Sequence, residues 1–334
     1  VVNGKGSHYN MMQGEQAATQ AAIVLEWAKR LGGVANEILP SAGIEAAKSQ
    51  KMLIMRPGKA ESAKIYLIHG LDGDAMSGGS TFTSIAQRLA PCRVGALVYD
   101  QEALECNSIP ELAACYNRRV VEDAKSHNPA GESLIIVAGY SHGCVLAHQM
   151  GHQLHKAGIW TAVVMFDLEV IWPPPSNDSR VGGYDFLGGE AEATLLISRA
   201  FGKFDFAIKE AIELTEMKAR GQSIDVDALI ERAYAALNQR GLSINLLKMM
   251  VKRGGVNIDK LHNIGNPWEP LEKYEGPALL ILAPDTPEFH SAAEINAQYC
   301  TQMEVVNGKG SHYNMMQGEQ AATQAAIVLE WAKR

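Results

Sequence analysis

No disulfide framework is written into this chain. Its five cysteines (Cys92, Cys106, Cys115, Cys144 and Cys300) are odd in number and widely spaced. That usage points to a reducing, intracellular compartment, cytoplasmic or organellar. A basic excess is also lacking: 30 Lys plus Arg stand against 37 Asp plus Glu, a formal charge of -7, which argues against an unaided nucleic-acid surface. No apolar run approaches the length of about 18 residues that a membrane span needs. The first ten residues have neither the charged nor the apolar region of a secretory signal. No glycine pattern matches a Walker or dinucleotide loop. Apolar residues, by contrast, make up 47% of the 334, enough to bury a sizeable core without cross-links or metals. The length accommodates one large domain or two small ones.

The chain repeats itself at its ends. Residues 1–30 recur letter for letter as 305–334, an offset of 305 − 1 = 304. Solenoid repeats have periods of about 20–50 residues, so this is not one, and an old structural repeat would have drifted. A domain repeated head to tail in a longer polypeptide accounts for the identity; an engineered duplication is the alternative. The chain then divides into 1–30, the tail of a preceding copy, and 31–334, one full domain. Only one copy of the segment can fill its slot. The C-terminal copy follows its own domain directly and is expected to win. The N-terminal copy can pack elsewhere or exchange into a second chain, a segment-swapped self-association.

Short β-rich runs alternate with amphipathic stretches. Residues 52–55 read as an edge strand before the turn at Pro57-Gly58. The runs 64–69 (KIYLIH), 94–99, 133–138 (SLIIVA), 162–166 (AVVMF), 278–283 (ALLILA) and 303–306 supply the other strands. Helical spacing covers 83–90, 109–125 with Pro110 in its first turn, 145–157 and 317–331; 31–50 is a mildly helical lead-in. From about 188 to 255 helical stretches (191–200, 204–220, 226–239, 243–252) succeed one another with no strand between them, as in an inserted lid. The pattern predicts an α/β fold, a mostly parallel sheet with helices on both faces. Functional groups then belong in loops at the carboxyl ends of strands.

Gly139-Tyr140-Ser141-His142-Gly143 fits G-x-S-x-G and stands between a strand and a helix, the context a nucleophile elbow requires. Its glycines leave room for a tight turn that lifts the Ser141 hydroxyl above the sheet edge. The same turn aims the His142 backbone N–H into that space. A serine hydroxyl needs a base, and the chain order of such sites puts an acid next and a histidine last. His312, in Gly308-Lys309-Gly310-Ser311-His312, follows the last strand. His8 is its twin in the N-terminal copy and could act only through exchange. Asp167 and Asp285 both end strands, and spacing leaves the choice of acid open. A second oxyanion donor is expected from Leu71, in the glycine-rich loop after KIYLIH, beside the N–H of His142. His148, His152 and His155 approximate the zinc pattern H-E-x-x-H, but Gln149 stands where the glutamate base would be. They read as a solvated helix face, and no metal site is expected.

The segments KIYLIHGLDG, AGYSHGCVLAHQM, VVMFD, KYEGPALLIL and GSHYNMM, with the helical block, resemble the thioesterase domains that end fatty acid, polyketide and nonribosomal peptide synthases. The resemblance spans about 64–331, and the animal fatty acid synthase thioesterase looks nearest. It implies an α/β-hydrolase fold with the block at 188–255 as lid, and Asp167 rather than Asp285 as the acid. It also implies a serine thioesterase that takes an acyl chain from the phosphopantetheine arm of an acyl carrier protein onto Ser141. The chain would pass on to water or to an internal hydroxyl or amine. No resident cofactor is implied, and no carrier segment with its Asp-Ser pair is evident. Two other readings stand beside this one: a carboxylesterase or lipase acting on oxygen esters, and a non-catalytic hydrolase-fold binding module built around the repeat.

Overall fold

The β-rich runs become strands β1 (Met52–Arg56), β2 (Lys64–Ile68), β3 (Arg93–Leu97), β4 (Ile135–Tyr140), β5 (Thr161–Phe166), β6 (Tyr274–Leu282) and β7 (Cys300–Asn307). They form one sheet in the order β1-β3-β2-β4-β5-β6-β7. Every neighbouring pair is parallel except β1 with β3 at one edge. The structure is a computed structural model, and it describes residues 51–71, 73, 80–129, 133–172, 186–200, 203–237, 242–285 and 291–334. The lead-in at 31–50 and the N-terminal repeat copy lie outside them.

Alternation along the strands sorts their side chains into two layers. Tyr66, Ile68, Val137, Val163, Met165 and Leu280 pack with helices α3 (Ile109–His127) and α4 (Gly143–Lys156), while Ile65, Leu67, Ile136, Ala138, Val164 and Ile281 pack with α1 (Ser80–Ala86) and α10 (Gly318–Trp331). Both faces of β2, β4 and β5 are therefore dry, which explains why their sequences are continuously apolar rather than alternating. Two helices went unforeseen. The short α2 (Gln101–Leu104) is started by the Asp100 side chain accepting from the Ala103 N–H. In α9 (Ala292–Tyr299), Ala292 and Asn296 are the buried residues, too thin an apolar stripe for periodicity to register.

Between β5 and β6 the described residues hold only helices: α5 (Gly189–Ala200), α6 (Phe204–Ala219), α7 (Val226–Leu237) and α8 (Ile244–Ile264). Gly182–Lys260 belongs to one compact unit, and the sheet with its flanking helices forms another. The helical unit has its own core, which includes Leu187, Leu195, Ala211, Leu214 and Leu229. Helix α8 runs past 252, where the sequence pattern ended it, and Gly255 within it is a packing residue. A Cβ on Gly255 would stand 2.8 Å from Glu190 Cγ, and one on Gly189 would stand 2.1 Å from Gly255 O. The close approach of α5 to α8 thus offsets the helix-weakening effect of glycine. Among the described residues, no helix is long and apolar enough to cross a membrane.

Candidate active site

Strand β4 runs directly into the serine motif. Gly139 pairs with Ile68 on one side and Met165 on the other, and Tyr140 pairs with Phe166. At Ser141 the chain turns through φ +55°, a left-handed conformation that costs a non-glycine residue about 1–2 kcal/mol. The turn is held by the Ser141 N–H donating to Phe166 O at 3.2 Å and by Cys144 N–H donating to Ser141 O at 2.8 Å. A Cβ on Gly139 would lie 2.1 Å from Gly143 O, and one on Gly143 would lie 2.5 Å from Ile68 O. Strand end, helix start and the tip of β2 therefore meet backbone to backbone, and the motif tolerates no larger residue at either position.

Asp167 is the first residue past β5, and at φ +62° it is the other described non-glycine residue in the left-handed region. Its N–H donates to Ile281 O at 3.1 Å, and its Oδ1 accepts from the Ala283 N–H at 2.6 Å. The side chain is 0% exposed, and Oδ2 lies 3.1 Å from His312 Nδ1. On the opposite side of that ring, Nε2 lies 3.1 Å from Ser141 Oγ. A proton on Nδ1, donated to Asp167, leaves the Nε2 lone pair to accept the serine proton. Two of the strained backbone positions in the fold thus belong to the groups this relay joins, as expected where a site over-determines its own geometry.

The histidine loop is fastened at several points. Tyr140 stacks on the His312 ring with centroids 5.2 Å apart and 25° between planes, and its hydroxyl donates to His312 O at 2.5 Å. Asn314 Oδ1 accepts from the Ser311 N–H at 2.8 Å. Gln324, fully buried on α10, donates to Lys309 O at 2.7 Å and to Met315 O at 3.2 Å. None of these three was singled out in the sequence. Tyr140 occupies a motif position that any residue can fill. Gln324 did leave a signal: it is a polar residue inside the apolar stripe of Ala321, Ala325 and Val328.

The other expected residues fall as follows. Asp285 is exposed and serves the loop through its backbone, its N–H donating to Gly310 O at 3.2 Å. Leu71 sits in a turn closed by Gly73 N–H to Gly70 O at 3.1 Å, just beyond β2. His142 caps the start of α4, just beyond the neighbouring β4, so the two expected oxyanion donors stand on adjacent strand ends. His8 lies outside the described residues. The reading of His148, His152 and His155 as a solvated face needs correction at its first member. His148 is fully buried and donates to Tyr299 O at 2.9 Å, whereas His152 pairs with Glu272. No cluster of metal-ligand type occurs among the described residues.

Burial also sets acid stability. It pushes the imidazoles of His69, His142 and His148 down to about 4, 3 and 4. The folded chain keeps all three neutral, while the unfolded chain protonates them near 6.5. The unfolded state then binds more protons, and stability is lost as pH falls below about 6.5, on the order of 1 kcal/mol or more per ring at pH 5. Glu169, whose carboxyl is raised chiefly by burial, works in the opposite direction at the acid end. Urea unfolding is expected to show a lower midpoint at pH 5 than at pH 7, and an unchanged midpoint would contradict the neutral, buried state of these rings.

No protein-family model and no curated protein matches the chain. Solved structures do match. A four-domain nonribosomal peptide synthetase aligns at TM-score 0.58 and 19% identity, over 87% of this chain and 21% of that one, so this chain spans about a fifth of the synthetase's length. The type II thioesterase BorB from the borrelidin biosynthetic cluster aligns at 0.53 and 16%, covering 84% and 97% of the two chains. The Vlm2 thioesterase domain aligns at 0.51 and 14%, covering 83% and 96%. With its mostly parallel sheet and flanking helices, the chain has the α/β-hydrolase fold that these thioesterases share.

Proposed function

We propose that this chain is a serine thioesterase that takes an acyl group from the phosphopantetheine thioester of a separate acyl carrier protein and releases it to water or to an internal hydroxyl or amine. The observation that carries the reading is the continuous line from Ser141 Oγ through both nitrogens of His312 to Asp167, each contact 3.1 Å. The shared fold of thioesterases supports thioesters over other esters as substrate.

In this mechanism Ser141 Oγ attacks the thioester carbon as its proton passes to His312 Nε2. Asp167 stabilises the imidazolium and holds its orientation. The N–H groups of His142 and Leu71 receive the charge that develops on the carbonyl oxygen. The C–S bond breaks, the proton on Nε2 goes to the departing thiolate, and the acyl group stays on Ser141. Water, or a nucleophile within the acyl chain, then gives its proton to His312 as it attacks the acyl carbon, the bond to Ser141 Oγ breaks, and His312 returns that proton to the departing Ser141 oxygen. The helical block at 188–255 serves as lid in this proposal.

Acyl-carrier thioesters and p-nitrophenyl esters of matching chain length, assayed side by side, test the reading. A kcat/KM at least about tenfold higher on the thioester is expected. The reverse order would make the chain a carboxylesterase or lipase. A chain that turns over neither and fails to react with a fluorophosphonate would be a binding module. Deleting residues 1–30 is expected to leave turnover unchanged. Loss of turnover, or activity that survives in His312→Ala, would instead mean that His8 works through exchange between chains.

A further inference from the structure

Pairing of β5 with β6 ends at Phe166 and Ile281, and one further bond joins the Asp167 N–H to Ile281 O. Beyond it the chain turns through φ +62° at Asp167. The sheet therefore stops holding the chain just where the carboxylate has to be aimed. A non-glycine residue persists in such a conformation only where its surroundings over-determine it. Part of that constraint comes from α9, a helix that the reaction above does not use. Its Asn296 side chain is 0% exposed. Asn296 Oδ1 accepts from the Val170 N–H at 2.8 Å. Its Nδ2 donates to Leu168 O at 3.1 Å and lies 3.6 Å from Met165 Sδ. A backbone N–H can only give and a carbonyl can only receive, so these two bonds fix which way round the amide sits. The three contacts bracket Asp167: one lies two residues before it, the others one and three residues after it.

A second tie starts from the residue just before α9. Ser291 Oγ donates to Glu169 Oε1 at 2.6 Å. Leu168, Glu169 and Val170 are all buried, so this stretch lies inside the fold rather than over its surface. Burial raises the Glu169 carboxyl, and the Ser291 hydroxyl acts in the opposite sense. An apolar side chain at 296 would leave the Val170 N–H and Leu168 O facing hydrocarbon, and buried backbone groups left so are costly. Asparagine is also a weak helix former. Neither helix propensity nor apolar burial accounts for it at this position; the backbone groups on either side of the acid do.

We infer that Asn296, assisted by Ser291, is a positioning residue of the reaction, holding the Asp167 carboxylate at the 3.1 Å from His312 Nδ1 on which the relay depends. It acts through Asp167 and not on the reacting atoms. A misplacement of about 1 Å in such a site costs on the order of 10²-fold in rate. The inference rests on the relay of the thioesterase reading and adds to it a helix that aims the acid.

A double-mutant cycle on the full chain tests it, read as the rate of fluorophosphonate labelling and as turnover of an octanoyl-pantetheine thioester. Asn296→Leu is expected to slow labelling and to lower kcat by about 10–100-fold, with KM within about twofold of the wild type. Ser291→Ala, at an exposed position, is expected to lower both rates several-fold. In an Asp167→Asn background each substitution is expected to cost less than about twofold more, because the group it positions is gone. A merely structural tie would cost the same factor in both backgrounds, and that result overturns the inference. So does a wild-type labelling rate in folded Asn296→Leu. Should Asn296→Leu fail to fold, Ser291→Ala carries the same comparison, and an unchanged rate there overturns the inference too. Labelled wild type with insensitive variants sinks the positioning role alone. Wild type that labels but turns over no thioester removes the thioesterase reading and leaves the labelling rates to decide the positioning role. Wild type that does neither removes both.

Discussion

Ser141→Ala is expected to abolish acyl-enzyme formation and to lower thioester turnover by on the order of 10⁴-fold or more, as loss of the nucleophile does in sites of this design. The size of the effect follows from the absence of a substitute within the elbow. Cys144 is the nearest thiol in the motif, but it is fully buried. Burial pushes its pKa upward, and it spends its proton on Gly139 O at 3.3 Å. The imidazole of His142 is buried as well, so neither side chain can present a nucleophile to the space Ser141 occupies. The substitution itself is mild. Alanine keeps a Cβ at the φ +55° position, so the backbone strain is nearly the same in both proteins. What is lost is one hydroxyl and its contact with His312 at 3.1 Å, a net change of about 1 kcal/mol in stability. Intact-mass measurement after exposure to a fluorophosphonate gives the readout: one adduct on the wild type, none on the variant, with melting temperatures close together. An adduct of equal yield on the variant would dislodge Ser141 from its role.

How much of this was legible in the sequence depended on whether the determinant was local. The elbow was, because a strand, a bend and a helix in direct succession impose their glycines at fixed positions; Gly139 is small for a reason four residues away, at Gly143 O, although Gly143 is small because of Ile68 O on β2. The histidine was legible through chain order, being the residue in a glycine-bracketed loop after the last strand. The acid was not. Asp167 and Asp285 both follow buried strands, and spacing offers no means of separating them. What separates them is contact across the sheet: β5 lies beside β6, so Asp167 reaches the Ala283 N–H and the His312 ring together. The misread of His148 has the same origin. Its spacing matched an exposed helical face, and only the fold, which brings Tyr299 O at the end of α9 to its ring, reveals that it is covered. The fastening of the loop by Tyr140 and Gln324 was hidden for the further reason that these residues act on backbone groups outside their own element.

The distinction between the two carboxylates is the sharpest test of that geometry. Asp167→Asn is expected to cost on the order of 10³–10⁴-fold in turnover, and Asp285→Asn is expected to leave turnover unchanged. Asparagine is nearly isosteric with aspartate and tolerates the left-handed backbone about as well, so the φ +62° turn at 167 should persist. Its amide must still satisfy the Ala283 N–H, which takes the carbonyl oxygen and points the NH₂ group at His312. An N–H donor facing Nδ1 requires a lone pair there, and the ring proton moves to Nε2. The nitrogen that faces Ser141 then carries a hydrogen of its own and has no lone pair with which to take the serine proton. Loss of the negative charge removes the stabilisation of the imidazolium in the same stroke. At Asp285 none of this applies, because the side chain is exposed and its tie to Gly310 runs through a backbone N–H that the substitution preserves. Steady-state turnover of both variants, with circular dichroism to confirm that each is folded, decides the matter. Equal losses, or a larger loss at 285, would take Asp167 out of the relay.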